Sequence, residues 1–192
     1  MLFSVQVKQK IAVIALSLGG AWFISIKFSL ENYEQYQTMS DIQFFSLDHI
    51  DPEHLLAIVN DDTLRKHLIE HQYYTADSIR KWVSEKLKIN ALKGCRIRAI
   101  TIDGALAGWC GIQPDDNGFE LAIVISQQYW GCGITVFITL MHWAKELGHK
   151  EIRCHLLDSR PEYKALKSIA HNVEKTALLG RDFTTYYIPV TE

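Results

Sequence analysis

The sequence predicts a single α/β (α+β) domain over residues 39–192, and three observations support that fold class. Segments with strand patterns and segments with the helical period of apolar residues follow one another along the chain. Asp103-Gly104 separates two strand-like segments with the dipeptide that favours a tight hairpin turn. The strand-like segment 119–125 is followed by a glycine-bearing loop and then by a helical pattern at 134–148.

The first part of the domain is predicted to form a strand, two helices and three further strands. An extended segment at 42–47 precedes helical patterns at 52–60 and 75–90. Thr75 is the expected N-cap of the second helix, because its hydroxyl can accept a hydrogen bond from an N–H of the first turn. The apolar face of that helix carries Ile79, Trp82, Val83 and Leu87. The three strands are expected at 96–102, 105–112 and 119–125, with a turn at 114–118 before the last of them.

The second part is predicted to form a helix, a strand, a shorter helix and a hairpin. The helix at 134–148 has its apolar residues on one face and ends at Gly148, which suits a C-terminal cap. A strand is expected at 151–157 and a helix at 161–171. The final hairpin joins strands at 173–179 and 183–190.

The loop before the helix at 134–148 has the sequence Gln128-Tyr129-Trp130-Gly131-Cys132-Gly133. The first four N–H groups of a helix lack partners within it and lie at the positive end of its dipole, so this loop can hold an anion such as phosphate. Its glycines leave the backbone open to such a ligand. The loop lacks the lysine of a Walker motif, and Val136 stands where a dinucleotide fingerprint has its third glycine. A purely structural turn is the alternative interpretation.

This loop resembles the Gln/Arg-x-x-Gly-x-Gly/Ala motif of the GCN5-related N-acetyltransferases (GNAT family). The segments T-A-D-S-I-R-K-W-V, F-E-L-A-I-V-I and Q-Y-W-G-C-G-I are similar to the branch that modifies ribosomal-protein termini and small amines. The order of expected elements over 39–192 is also that of the family. The resemblance implies the GNAT acyl-CoA N-acyltransferase fold, a mixed and mostly antiparallel sheet of about seven strands flanked by about four helices.

The resemblance also implies direct transfer of an acetyl group from acetyl-CoA to a primary amine, such as a protein N-terminus or a small-molecule amine. In the family, a bulge splays the strand before the loop, and the backbone of that strand pairs with the pantetheine arm. This role falls on Ile123, Val124 and Ile125, where one N–H would also stabilise the thioester oxyanion. The pyrophosphate is assigned to Gln128, Tyr129, Trp130, Gly131, Cys132, Gly133 and Ile134.

The amine must arrive neutral, so a base must take its proton, directly or through water. Glu120 is the candidate base because it begins the same strand, and a solvated strand residue is the alternative interpretation. Tyr163 is the candidate acid for the departing thiolate, although the usual position in the family falls near Lys167. Tyr186 and Tyr187 are equally available, and packing in the core or at its rim is the alternative for all three tyrosines.

The end of the sequence departs from the family pattern. The family usually has an Asn near the start of the last helix and Gly-Phe at its end, where this chain has Ser159-Arg160-Pro161 and His171-Asn172. These departures concern the acceptor half of the site and leave the cofactor loop intact. They keep open a second hypothesis, in which the domain is a non-catalytic acyl-CoA-binding sensor or interaction module.

Residues 1–38 form an apolar extension before the domain. Two lysines precede an uncharged run of sixteen residues at 11–26, as in a signal sequence or a short membrane anchor, although a span needs about 20 residues. Secretion would separate the enzyme from acetyl-CoA, so a cytoplasmic location is expected. The extension is interpreted as inessential, as a mis-assigned start, or as an anchor at 11–28 that leaves the domain facing the cytoplasm.

Charge and residue types argue against several other functions. Lys+Arg 20 nearly balance Asp+Glu 22, so a nucleic-acid surface is not indicated. The histidines show no metal-ligand spacing, so no metal is expected. The four cysteines are expected to be free thiols, and the place of Cys132 at a helix N-terminus predicts a lowered pKa. The resemblance makes a homodimer a further hypothesis.

Overall fold

The computed structural model describes residues 40–68, 71–116, 118–160 and 162–191. The predictions for the extension 1–38, including an anchor at 11–28, lie outside these residues. Within the described ranges, we find no helix whose length and apolar content would let it span a bilayer.

Seven strands form one mixed sheet, as the sequence predicts. They are β1 (Ile42–Phe45), β2 (Arg96–Ile102), β3 (Ala105–Asp115), β4 (Gly118–Ile125), β5 (Glu151–Leu157), β6 (Asn172–Leu178) and β7 (Arg181–Pro189). Their order across the sheet is β1-β2-β3-β4-β5-β7-β6. Neighbouring strands are antiparallel except for β4 and β5, which run parallel.

The helices cover both faces of this sheet. In the described residues they are α1 (Leu56–Val59), α2 (Asp62–Arg65), α3 (Ala76–Asn90), α4 (Gly133–Glu146) and α5 (Lys164–Ile169). Residues of α3 pack on one face, whereas residues of α4 and α5 pack on the other.

The short helices differ from their predictions. The segment predicted as one helix at 52–60 forms a 3-10 turn at Pro52–Leu55 and then α1. No pattern predicted α2, which begins where the Asp61 carboxylate accepts a hydrogen bond from the Leu64 N–H. Helix α5 is shorter than the predicted 161–171. It ends because Ala170 is already extended, which starts the pairing of the following segment with β7.

Thr75 caps α3 as predicted. Its hydroxyl accepts a hydrogen bond from the Ser78 N–H, and the Ser78 hydroxyl accepts one from the Thr75 N–H, which forms a capping box. The inner face of the helix buries Ile79 and Trp82. Lys86 lies one turn further along the same face and is also buried. The helix therefore places a lysine side chain inside the core.

The predicted hairpin between β2 and β3 is confirmed. Asp103 and Gly104 both have positive φ, 52° and 80°, as a two-residue hairpin turn matched to strand twist requires. Strand β3 continues beyond its predicted end at Ile112 and includes Pro114. This is tolerated because the pairing with β2 already stops at Ile112, so the missing proline N–H removes no hydrogen bond from β2.

Each face of the sheet has its own buried core, and β4 contributes to both by alternation. Leu121, Ile123 and Ile125 pack with α4 and α5 on what we call the α4 face. Ala122 and Val124 pack with α3 on what we call the α3 face. Strand β4 is therefore buried on both sides. Its odd-numbered side chains point to the α4 face and its even-numbered side chains to the α3 face.

Strands β4 and β5 separate soon after they meet. In the described residues their only pair is Glu120 with Arg153. Beyond it, toward the carboxyl ends, no ladder pair joins the two strands, and we call this unpaired stretch the cleft. The expectation of a bulge in β4 is wrong, because the pairing of β4 with β3 runs without a shift from Gly118 to Ile125. A register shift occurs instead between β2 and β3, at Ile100. The cleft therefore arises from the divergence of two parallel strands.

Candidate active site

Ile123 and Ile125 direct their backbone groups toward the cleft. Successive residues of a strand direct N–H and C=O to opposite neighbours. The Ser126 N–H donates to a β3 carbonyl at 2.8 Å. Val124 lies two residues earlier, so its backbone N–H and C=O also point toward β3. Gly108 of β3 agrees with this, since a Cβ there would lie 1.9 Å from the Val124 carbonyl oxygen. Of the three residues predicted to pair with a pantetheine arm, Ile123 and Ile125 therefore direct their backbone groups away from β3, toward the cleft, whereas Val124 does not.

The loop expected to bind phosphate is wound into a 3-10 turn at Gln127–Cys132 that runs directly into α4. The Tyr129 N–H donates to the Ser126 carbonyl at 2.9 Å. The Gly133 N–H donates to the Trp130 carbonyl. A phosphate at this helix N-terminus would therefore compete with hydrogen bonds of the turn itself.

The loop side chains divide between solvent and the core. Gln128 and Gly131 are exposed, and no atom lies within 4 Å of the position that a Gly131 Cβ would take, so the space there is open to a ligand. Tyr129, Cys132 and Ile134 pack against the core of the α4 face. Burial raises the pKa of the Cys132 thiol, so the lowered value predicted from the helix N-terminus is wrong. All four cysteines are free thiols, as predicted.

Trp130 lies at the open end of the cleft. Its indole N–H donates to the Ile125 carbonyl at 3.0 Å, which is one of the groups directed toward the cleft. Its ring packs edge-on against His67, with 5.6 Å between ring centroids. The loop is thus tied both to the end of β4 and to the turn after α2. A pantetheine amide that paired with Ile125 would compete with the Trp130 N–H for this carbonyl.

Glu120, the candidate base, is completely buried on the α3 face. Its exposed fraction is 0%, so the alternative interpretation as a solvated residue is wrong. Gln113, its partner on β3, donates Nε2 to Glu120 Oε1 at 2.6 Å. The Gln113 Oε1 accepts from Lys86 Nζ at 2.6 Å. An amide between an ammonium and a carboxylate can orient in one way only, so this chain of bonds ends on Glu120 as an acceptor.

Lys86 brings a positive charge into the core of the α3 face. The residue is 1% exposed, and its Nζ lies 4.9 Å from the centre of the Trp109 ring and 5.5 Å from that of Trp82. Burial lowers the pKa of Lys86 to about 8, while the charge of Glu120 acts in the opposite direction. The two indole faces partly replace the lost water. A positive charge is therefore held one amide away from Glu120.

His155 lies beside Glu120 on the neighbouring strand and is 3% exposed. Its Nε2 is 3.5 Å from Glu120 Oε2 and 3.3 Å from Asp115 Oδ2. Its Nδ1 is 2.8 Å from Thr185 Oγ1. Arg153 donates Nη1 to Asp115 Oδ2 at 2.9 Å. Glu120 is therefore one member of a buried polar cluster that spans four strands and α3.

Most of this cluster is not predicted from the sequence, because its members are far apart in the chain. The histidine spacing indicated no metal site, and it gave no reason to single out His155. One signal was available, since Lys86 continues the helical series begun by Ile79 and Trp82 and so falls on the buried face. Asp115 and His155 are brought together by strand register, which the spacing of residues in one sequence does not give.

Three members of the cluster have the composition of a cation site. Ligand atoms of Asp115, Glu120 and His155 lie within 4.8 Å of one another, although the histidine spacing predicted no metal. Arg153 contacts Asp115 directly, and Lys86 reaches Glu120 through one amide. Two positive side chains already balance the two carboxylates, so the cluster fits proton transfer better than cation binding.

Tyr163, the candidate acid, lies on the opposite side of the sheet, where it is buried in the core of the α4 face. Its hydroxyl oxygen accepts from Arg160 Nη1 at 3.2 Å, so its own O–H can act as a donor. Tyr186 belongs to the same core, whereas Tyr187 donates a hydrogen bond to Glu174 on β6. The candidate acid and the candidate base therefore lie on different faces of the sheet.

The sequence matches a family profile described as acetyltransferase (GNAT) domain over residues 44–159. That span includes the diverging strands, the loop and Glu120. A search of curated proteins finds no match.

Solved structures share the fold at low sequence identity. An N-acetyltransferase from Staphylococcus aureus Mu50 is 15% identical, with a TM-score of 0.58 over 80% of this chain and 100% of that chain. A Salmonella typhimurium acetyltransferase that modifies the N-terminal serine of 50S ribosomal subunit protein L7/L12 is also 15% identical, with a TM-score of 0.58 over 80% of this chain and 96% of that one. Apo RimL, a ribosomal L7/L12 α-N-protein acetyltransferase, is 14% identical, with a TM-score of 0.55 over 79% and 91% of the two chains.

Proposed function

Because this chain belongs to the GNAT acetyltransferase family, we propose that it moves an acetyl group directly from acetyl-CoA to a primary amine in the cytoplasm. The observation that carries the proposal is the cleft between β4 and β5, which opens beside the N-terminal turn of α4. Two parallel strands joined at one pair leave a strand edge that an extended ligand arm can use.

The donor would lie along β4 and over the loop. The pantetheine amides would pair with the backbone of Ile123 and Ile125, after the Trp130 N–H has left the Ile125 carbonyl. The pyrophosphate would take the open space beside Gly131 and bind N–H groups of the turn before α4. An N–H of β4 would stabilise the oxyanion as the thioester is attacked.

The acceptor would be a protein N-terminus or a small-molecule amine. The Salmonella protein, whose fold is shared, modifies an N-terminal serine, which supports the first class. The approach is proposed from the α3 face, where the polar cluster lies. Glu120 would take the amine proton, through water because its side chain is buried. Tyr163 would protonate the departing thiolate.

A second candidate function is a non-catalytic acyl-CoA-binding module. The complete burial of Glu120 favours it, because a base must come within reach of the amine proton, directly or through one water. In that case the chain would bind acetyl-CoA and acetylate no amine, and the buried cluster would serve the fold alone.

The test is calorimetric titration of the full chain with acetyl-CoA, followed by acetylation assays on peptides with free N-termini and on small amines. Gly131→Glu should abolish binding, since a carboxylate would repel the pyrophosphate. Gly131→Gln is the matched control for size, and we expect it to bind more weakly than wild type but better than Gly131→Glu. A folded wild-type chain that does not bind acetyl-CoA would contradict both functions, whereas binding without turnover would favour the second.

A further inference from the structure

Arg160 follows the carboxyl end of β5, the strand that forms one side of the cleft. It lies just beyond Leu157, the last residue of that strand, in the segment where the sequence departs from the family pattern. Its N–H donates to the Leu157 carbonyl at 2.9 Å. The Asp158 N–H donates to the Asp182 carbonyl on β7 at 3.0 Å. The backbone from which the Arg160 side chain starts is therefore fixed relative to β5 and β7.

The guanidinium of Arg160 acts on groups of both faces of the sheet. Its Nη1 donates to the Tyr163 hydroxyl oxygen at 3.2 Å, and Tyr163 belongs to the core of the α4 face. Burial and then the charge of Arg160 lower the pKa of His67. The His67 ring contacts Trp130, which packs against the core of the α3 face. A positive charge therefore lies near both Tyr163 and the open end of the cleft.

The direction of the hydrogen bond between Arg160 and Tyr163 is fixed. A guanidinium has only donors, so the Tyr163 oxygen accepts and its own proton can go to another group. Tyr163 is 8% exposed. A tyrosine that gives up its proton leaves an anion, and burial of an anion without a positive partner is costly. A tyrosine in this place therefore needs a fixed cation beside it in order to act as an acid.

We propose that Arg160 is a positioning residue that lets Tyr163 act as the acid, by holding the phenol oxygen as an acceptor and by pairing with the tyrosinate that forms. The inference rests on the function proposed above. As the thioester C–S bond breaks, its electron pair goes to sulfur, which takes the proton of the Tyr163 hydroxyl. A proton from solvent later restores the tyrosine. Glu120 returns the amine proton to solvent, so protons balance over one turnover.

The burial of Arg160 strengthens this pairing. Burial lowers the pKa of Arg160, whereas the charge of Tyr163 and the hydrogen bond with it act in the opposite direction. A guanidinium keeps its proton at any working pH, so Arg160 stays a cation. Because less water surrounds this cation, its charge is screened less from Tyr163. The departure from the family pattern at Arg160 thereby receives a role in the same reaction.

The experiment compares Arg160→Met, which removes the charge, with Arg160→Lys, which keeps it. The acceptor is the most rapidly acetylated substrate of the assays above. In Arg160→Met we expect kcat to fall about tenfold or more with the Kd for acetyl-CoA unchanged, since a positioned acid contributes about 10²–10⁴. Arg160→Lys should recover part of the loss. Arg80→Met is the matched control, because this arginine pairs with Asp77 at the surface, and it should keep the wild-type kcat.

A double-mutant cycle separates this role from a purely structural one. In a Tyr163→Phe background, Arg160→Met should have no further effect on kcat, because the group that it supports is already absent. A structural role would lower kcat by the same factor in both backgrounds. Equal factors would therefore overturn the proposal, and so would an Arg160→Lys variant as slow as Arg160→Met.

Nitrogen-15 NMR of the arginine side chains tests the contact without turnover. In the wild type we expect separate Nη signals for Arg160, because a hydrogen bond slows rotation of the guanidinium, and Arg160→Lys assigns them. In Tyr163→Phe we expect these signals to merge. Unchanged signals in Tyr163→Phe would overturn the inference alone if the wild type is active. Absence of acetylation by a folded wild type would instead overturn the proposed function, and the inference with it.

Discussion

The two faces of the sheet are covered by helices of similar length, 15 residues in α3 and 14 in α4, yet the cores beneath them differ in kind. The core under α4 consists of aliphatic and aromatic residues and two cysteines. The core under α3 contains Trp82 and Trp109, and beside them lie Lys86 and Glu120, both fully buried. The α4 face is thus apolar, with Arg160 contacting it at Tyr163, while the α3 face encloses opposite charges.

The difference shows how a single strand can serve packing and chemistry at once. Odd-numbered residues of β4 anchor α4, whose N-terminus carries the loop, whereas Glu120 on the even-numbered side joins the charged cluster. A slip of one residue would exchange the two sets and bury apolar groups against charges. We therefore expect changes to the aliphatic residues of the α4 face to act on stability alone, and changes to the polar cluster of the α3 face to act on chemistry and on pH dependence.

The most severe way to break the contrast is Glu120→Gln, which removes a negative charge from the α3 face and keeps its shape. We expect kcat to fall by about 10²–10⁴, because proton transfer to a positioned base contributes that much. The Kd for acetyl-CoA should stay the same, since the loop is on the other side. Steady-state kinetics and calorimetry measure the two effects. Glu174→Gln on exposed β6 is the control, and full activity in Glu120→Gln would remove Glu120 from the mechanism.

Leu140→Ala tests the α4 face. Leu140 is 0% exposed in the apolar core, and we expect the variant to lose about 2–5 kcal/mol of unfolding free energy, from lost burial and the cavity left behind. The loss should be equal at pH 6 and pH 9, because the core around it holds no charged partner. Denaturant titration measures it, with exposed Leu92→Ala as the control. A loss that changes strongly with pH would show that the two faces are coupled.

Lys86→Met tests whether the buried charge of the α3 face makes the unfolding free energy depend on pH. Burial lowers the pKa of Lys86 to about 8 in the folded state from its ordinary value of 10.5, so between these two pH values the unfolded chain binds more protons. The unfolding free energy of the wild type should therefore rise from pH 8 to pH 10.5, by about 2 kcal/mol relative to the variant. Lys88→Met on the exposed side of α3 should keep the rise. Parallel pH curves for wild type and Lys86→Met would contradict a buried charge.

The smallest expected effect lies where the faces meet, at the cleft. Trp130→Phe keeps a ring against His67 but removes the N–H that engages the Ile125 carbonyl. If acetyl-CoA must displace that N–H, the variant should bind acetyl-CoA about threefold more tightly, the value of a modest net hydrogen bond. Calorimetry measures this, with Trp143→Phe on α4 as the control. Weaker binding would mean that the Trp130 N–H contacts the cofactor.

The fold could be predicted where local signals are strong and agree with each other. The Thr75 cap, the Asp103-Gly104 turn and the strand Glu151–Leu157 all depend on neighbours in the sequence, and the structure places each as expected. The last helix was drawn too long because strand pairing with β7, a distant contact, ends it at Ala170. The 3-10 turn at Gln127–Cys132 was likewise not predicted.

The site divides in the same way. The loop at Gln127–Cys132 is contiguous, so its glycine and its position before a helix could be recognised from sequence. The buried polar cluster depends on the pairing of Gln113 with Glu120 and of Glu120 with Arg153, and no local pattern encodes that register. His155 was therefore overlooked, although Lys86 was visible as a charge at an apolar helical position.

The buried ammonium also has an optical consequence. Indole emission responds to nearby charge, and Lys86 Nζ lies 4.9 Å and 5.5 Å from the centres of two indole rings. As the pH rises past about 8, the loss of this charge should change the fluorescence of Trp82 and Trp109, and Lys86→Met should abolish that change. The intrinsic fluorescence of the protein would then measure the protonation state of Lys86, before any substrate is added.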